Sequence, residues 1–215
     1  MYQKRQKVPK RWPIHRKGTA YVVKANFNPQ RGVPVLIILR DILKLTQTRK
    51  ELKKAINSKN ILLNNKVLMD EKNTALLFDI ITIVPSKKNY RVELSEKGKF
   101  EIKEIKDTGS NKKIAKIINK KILKGKKIQL NLSDGRNFLS DIKCNVNDSV
   151  SINLKDRKIE KCLPLKEKAK AIVFRGKHAG KNGVIKELDI KKKIVKLDVD
   201  EKEVNVLIKQ LMVLE

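Results

Sequence analysis

The sequence predicts a mixed α+β protein made of small modules: a two-helix module with a hairpin, a central β domain and a C-terminal β-barrel. Three observations carry that prediction. Apolar residues recur at helical spacing from Val35 to Leu45, and Thr48-x-x-Glu51 forms a capping box before a second helical stripe. Beyond residue 60 the apolar runs are short, alternating and bounded by Asn, Gly and Lys clusters. The last stretch of about fifty residues holds several such runs close together, the pattern of a small curled barrel.

Taken in order, residues 1–32 form a basic arm. Arg5, Lys7, Lys10, Arg11, Arg16, Lys17, Lys24 and Arg31 alternate with Pro9, Pro13, Gly18 and Pro29, and no acid precedes Asp41. The prolines forbid a long helix, and the apolar content is too low for a core, so the arm is expected to be extended when free and to order on a partner. Trp12, the single Trp of the chain, needs a cover, either the protein's own surface or a nucleic acid.

Residues 33–85 form the two-helix module. Pro34 suits a first helical position, and Val35-Leu36-Ile37-Ile38-Leu39 runs on to Ile42, Leu43 and Leu45. In the second helix Leu52, Ala55 and Ile56 make one face, and Arg49, Lys50, Lys53 and Lys54 spread over the other. Ile61-Leu62-Leu63, Asn64-Asn65 and Lys66-Val67-Leu68 read as a tight hairpin, because Asn tolerates left-handed turn positions. The strand Ile80–Ile83 follows.

Residues 86–165 read as the central β domain, with strands at 90–94, 100–102, 129–132 and 149–154. For Ile114, Ile117, Ile118 and Ile122 the spacing fits a helix and the β-branching fits strands, so both remain open. Residues 166–215 carry strands at 169–174, 184–188, 194–199, 204–208 and 211–214. Between the first two lies the loop Arg175-Gly176-Lys177-His178-Ala179-Gly180-Lys181-Asn182-Gly183.

Charge narrows the function. The chain has 52 Lys+Arg against 23 Asp+Glu, a net +29, in 215 residues. A compact fold tolerates such self-repulsion when a polyanion neutralises it, and nucleic acid does so by giving up condensed counterions. No run of about 18 apolar residues predicts a membrane span, and no lipidation signal or aromatic amphipathic helix points to a membrane surface. Cys144 and Cys162 lack metal-ligand spacing and read as small buried hydrophobes in a reducing, cytoplasmic setting. With His15 and His178 as the only histidines, no metal site or catalytic set is expected. Nor is a cofactor or a small-molecule substrate: the glycine loop lacks the Gly-Lys-Ser/Thr of a nucleotide-binding loop.

Arg40-Asp41 ahead of the capped helix, Arg49 in its first turn and Phe78-Asp79 before the last strand resemble the small RNA-binding domain of the bacterial ribosomal protein S-four. Lys59 and Asn65 stand where that family usually has Gly, positions that call for left-handed backbone. The loop 176–183 resembles the KOW motif of ribosomal proteins and elongation factors. Together, Pro9-Lys10-Arg11-Trp12-Pro13-Ile14-His15-Arg16-Lys17-Gly18-Thr19, Gln129-Leu130-Asn131-Leu132-Ser133-Asp134-Gly135-Arg136-Asn137 and Gly176-Lys177-His178-Ala179-Gly180 resemble the ribosomal protein S-four-e family of archaea and eukaryotes. The resemblance implies a C-terminal SH3-like barrel and a cytoplasmic place in the small ribosomal subunit. Its partners would be small-subunit rRNA and neighbouring small-subunit proteins. The chain is compact for the family, which suggests an archaeal-type member.

The expected RNA-binding residues are Lys10, Arg11, Trp12, His15, Arg16 and Lys17 in the arm, and Arg49, Lys50, Lys53 and Lys54 on the helix. Arg136 and Asn137 join them at the central turn, and Arg175, Lys177, His178 and Lys181 in the loop. An RNA-modifying enzyme is the alternative from another class, but it needs a catalytic domain that these small β units do not offer. A transcription elongation factor would rest on the KOW-like loop alone.

Overall fold

The computed structural model describes residues 2–140, 142–199 and 202–214. It is mostly β; among the described residues the α-helical segments are short and lie between residues 35 and 57. The chain divides into two compact units, residues 2–95 with 99–111, and residues 96–98 with 112–214.

In the first unit β1 (Tyr2–Lys4) pairs with β2 (Tyr21–Val23), and β3 (Gly32–Pro34) leads into α1 (Val35–Ile37). The spacing predicted a regular helix onward from Pro34. Instead Pro34 caps α1, and the next turn, Ile38–Ile42, is π-wound, with Leu43 N donating to Ile38 O at 2.9 Å. Val35 to Leu39 are all buried, so this stretch is apolar on every side and is held by packing, not by an amphipathic stripe. The next helix, α2 (Arg49–Asn57), starts on the expected capping box: Thr48 accepts from Glu51 N, and the Glu51 carboxylate accepts from Thr48 N. Leu52 and Ile56 are buried.

The expected hairpin is β4 (Ile61–Leu63) and β5 (Lys66–Val67), with Asn64 at φ 52° and Asn65 at φ 58°. Lys59 is left-handed too, at φ 57°, so it takes the glycine-type conformation at that corner. Asn64 is also a buried bridge: its Nδ2 donates to Asp79 and its Oδ1 accepts from Ile80 N. A strand not foreseen, β6 (Thr74–Leu76), pairs with β3. The main sheet has the order β5-β4-β7-β8-β9, with β7 (Ile80–Ile83), β8 (Lys88–Leu94) and β9 (Phe100–Ile105). Position 85/86 therefore falls inside one continuous sheet.

In the second unit β10 is Lys112–Ile122, which settles the open choice at Ile114–Ile122 in favour of a strand. Its β-branched residues suit the pleated ladder better than a helix. A bulge between Ile117 and Asn119 accounts for the broken alternation. With β11 (Ile128–Leu132), β12 (Asn137–Leu139), β13 (Ser149–Asn153) and β14 (Lys158–Leu163) it forms a sheet of order β12-β11-β10-β13-β14. One face holds a core of Ala115, Ile117, Leu130, Leu132, Cys144, Val150 and Ile152. Cys144 and Cys162 are both free; burial, then the neighbouring Cys144, pushes the Cys162 thiol up to about 12.

The remaining strands, β15 (Lys170–Val173), β16 (Asn182–Asp189), β17 (Ile194–Val199), β18 (Lys202–Leu207) and β19 (Leu211–Val213), make a curled sheet of order β18-β17-β16-β15-β19. Val173, Ile185, Leu197 and Leu211 lie in its core, and Ile114 of β10 packs against the same core. Lys116 of β10, 3 % exposed, joins the two sheets: its ammonium donates to Ile208 O and, at 2.7 Å, to Leu211 O.

Candidate nucleic-acid interface

The arm is folded, which corrects the expectation of an extended segment. Its cations and one aromatic tie it down. The Arg5 guanidinium donates to Thr19 O at 2.6 Å, to His15 O at 2.7 Å and to Thr19 Oγ1 at 2.8 Å, closing the arm into a loop. Trp12 is 2 % exposed, and its indole N–H donates to Pro29 O and Gly32 O, both at 2.9 Å. Of the two covers a Trp could find, the structure supplies the protein's own surface. Arg11 lies over the Phe100 ring at 5.6 Å and donates to Gln30 O. Lys10, His15, Arg16 and Lys17 remain exposed.

Beside the arm is a cleft of about 680 Å³, lined among others by Arg5, His15, Lys17, Arg40, Asp41 and Lys44. Arg40 and Asp41 form an ion pair at 2.9 Å in this lining, and the carboxylate bond holds the Arg40 pKa above its ordinary value. Arg5 and Lys44 were not among the expected RNA-binding residues. Lys44 carries the left-handed backbone (φ 53°) that ends the π-wound turn, so no local pattern marks it. An arm cation folded back on the chain is equally silent in sequence.

On α2 the basic residues part company. Lys50, Lys53 and Lys54 are exposed. Arg49 instead pairs with Glu71, whose side chain is 1 % exposed, and lies over the Tyr2 ring at 5.3 Å. The Glu71 carboxylate raises the Arg49 pKa and anchors the start of α2 to the chain below it.

The turn after β11 is built on Asp134. Its carboxylate takes a 2.7 Å bond from the buried Lys113 ammonium, a 3.0 Å bond from Arg136 N and a 3.6 Å ion pair with Arg136. Burial alone would raise its pKa; Lys113 and the turn bonds outweigh this and lower it. Arg136 is thereby oriented at the turn, and Asn137 stands exposed at the start of β12.

The glycine-rich loop joins β15 to β16. Val173 N donates to Lys181 O and Gly180 N to Val173 O, closing the loop at its base. Gly176, at φ 87°, leaves room for Gln210, whose Oε1 a Cβ would meet at 2.7 Å. Gly183 lets β16 approach β17: a Cβ there would meet Asp198 O at 2.3 Å. Lys177 is exposed, while Arg175, His178 and Lys181 are half-buried, with Arg175 over the Phe174 ring. Among the described residues no group of three or more His, Cys, Asp or Glu could hold a metal, and no helix is long and apolar enough to cross a membrane.

The arrangement presents separate cationic surfaces, on the arm cleft and α2 in the first unit and on the turn and loop in the second. Residues 86–159 match the family model described as Ribosomal family S4e. The chain is 36% identical over 190 residues to small ribosomal subunit protein eS4 of Methanocella arvoryzae, covering 87% of this chain and 80% of that one. It is 37% identical over 185 residues to the eS4 protein of Nanoarchaeum equitans, covering 84% and 79%. The crystal structure of the 30S ribosomal protein S4e from Thermoplasma acidophilum shares the fold, with a TM-score of 0.74 over 86% of this chain and 95% of that one, at 24% identity. All these relatives are archaeal. The chain belongs to the ribosomal protein family S4e.

Proposed function

We propose that this chain is a structural, non-catalytic constituent of the small ribosomal subunit that holds folded small-subunit rRNA. The observation that carries the reading is the family relation over most of the chain, joined to a net charge of +29. The cations left exposed at Lys10, Arg16, Lys17, Lys50, Lys53, Lys54 and Lys177 are free to meet phosphates. His15, Arg136, Asn137, Arg175, His178 and Lys181 supply further contacts, and Arg11, Trp12 and Arg49 brace the surface from within. In this reading the arm (1–32), a two-helix S-four-type RNA-binding module (33–85), a central β segment (86–165) and a KOW-bearing SH3-like barrel (166–215) are functional segments that engage RNA in turn. Neighbouring small-subunit proteins and a cytoplasmic location complete it. Shape, more than base identity, guides binding, because a deep A-form major groove excludes side chains.

The test is binding of the free protein to purified small-subunit rRNA across a salt series. Replacing Lys50, Lys53 and Lys54 with Gln should weaken binding and flatten the log K against log salt slope, by about one unit for each phosphate no longer neutralised. An unchanged slope removes α2 from the binding surface.

A further inference from the structure

We infer that the outer face of β10–β11–β12 is a carboxamide platform that docks in the minor groove of an A-form RNA helix; this rests on, and deepens, the rRNA-binding reading. The pleat sets the face. Leu130 and Leu132 of β11 are buried in the core, and Phe138 of β12 packs against it, so Gln129, Asn131, Asn137 and Leu139 point the other way. The register then places Asn119, Asn131 and Asn137 side by side on one rung across the strands. Lys121, Gln129 and Leu139 form the next rung. With strands about 4.8 Å apart, the Asn row spans about 10 Å. Gln129 Nε2 donates to Asn131 Oδ1 at 2.7 Å, which fixes one amide against the next. Asn119, Lys121, Asn137 and Leu139 are exposed, Leu139 at 62 %. The platform lies at an open end of its sheet, where β12 is the edge strand.

Charge selects the partner class. Apart from the buried Lys113 and Lys116, residues 112–140 carry six Lys and one Arg, and their one acid, Asp134, is paired with Lys113. None of the six platform residues is acidic. An anionic partner is therefore favoured, and the amide row points to one of the RNA type. A carboxamide both donates and accepts, and so does a ribose 2′-hydroxyl. An A-form minor groove is wide, shallow and lined with such hydroxyls, a surface that a nearly flat sheet face can meet. Lys121 is placed to reach a groove-edge phosphate while the Asn row lies along the sugars.

The experiment compares the full chain with its Asn119→Ala/Asn131→Ala/Asn137→Ala variant, both verified as folded by circular dichroism. Each is titrated with an RNA duplex and with the same duplex carrying 2′-O-methyl groups, which keep the A-form but remove the hydroxyl donor. The unaltered chain should prefer the hydroxyl duplex by more than about fivefold, the worth of one hydrogen bond of average strength. The variant should lose that preference with its salt slope unchanged. No preference in the unaltered chain, or a loss that is the same on both duplexes with a flatter slope, overturns the proposal in favour of phosphate binding alone, and a hydroxyl preference that the variant keeps overturns it by placing the contacts on other residues. A variant that binds duplexes normally yet leaves assembled subunits marks a protein-facing surface and overturns it as well. If the unaltered chain binds small-subunit rRNA but neither duplex, only this proposal fails; if it binds no RNA at all, the rRNA-binding reading fails with it.

Discussion

Replacing Lys116 with Met should remove a rise in stability that alkali gives the unaltered protein. Lys116 sits in β10, almost wholly buried, and donates to the carbonyls of Ile208 and Leu211. Burial pulls its pKa from 10.5 down to about 8, while Asp148 acts weakly in the opposite sense. A lysine whose folded pKa is depressed holds its proton more tightly in the unfolded chain. Between about pH 8 and pH 10.5 unfolding therefore takes up a proton, and stability rises with pH across that window. At about 1.36 kcal/mol per pH unit, the full rise is about 3 kcal/mol. Below about pH 8 both states are protonated and the desolvation penalty is fully present. Lys103, Lys186 and Lys196, whose pKa values are raised by carboxylate partners, act in the opposite direction but equally in both proteins. Urea unfolding followed by far-ultraviolet circular dichroism, from about pH 7 to about pH 11, isolates the Lys116 contribution as the difference between the two proteins. The unaltered protein should gain about 3 kcal/mol on the variant over that range. A difference that stays flat, or falls as pH rises, would refute the reasoning.

Two further outcomes follow from the packing. Trp12→Ala should destabilise the first unit by about 3–5 kcal/mol, since it empties a buried indole site and strips donors from Pro29 O and Gly32 O; a cost under about 1 kcal/mol in urea unfolding would mean the arm is not part of the folded body. Gly183→Ala should cost about 1–3 kcal/mol, because its Cβ would lie 2.3 Å from Asp198 O, and hydrogen exchange should rise first along β16 and β17; unchanged protection there contradicts the close approach.

Much of the architecture was legible because the signals were local. The Thr48/Glu51 box, the Asn64-Asn65 turn and the alternation at Ile194–Val199 each determine their element from a few neighbouring residues. The π-wound turn at Ile38–Ile42 was hidden, since helical spacing alone does not distinguish one bond pattern from the next. The fold of the arm was hidden for a different reason. Arg5 and Trp12 find partners ten to twenty residues away, among backbone carbonyls that carry no sequence signature. Of the candidate site, charge and glycine spacing marked the helix face and the loop. They could not separate Arg49, spent on buried Glu71, from Lys50, Lys53 and Lys54, because that distinction depends on a residue twenty-two positions along the chain. The amide row of Asn119, Asn131 and Asn137 was equally invisible before the register and its bulge aligned the strands.

The most direct test is to sediment a native lysate of cells that make this chain through a sucrose gradient, and then to wash the particles in salt. The protein should travel with small subunits and stay on them at moderate salt, as a constituent does. Recovery only at the top of the gradient would contradict the assignment to the small subunit.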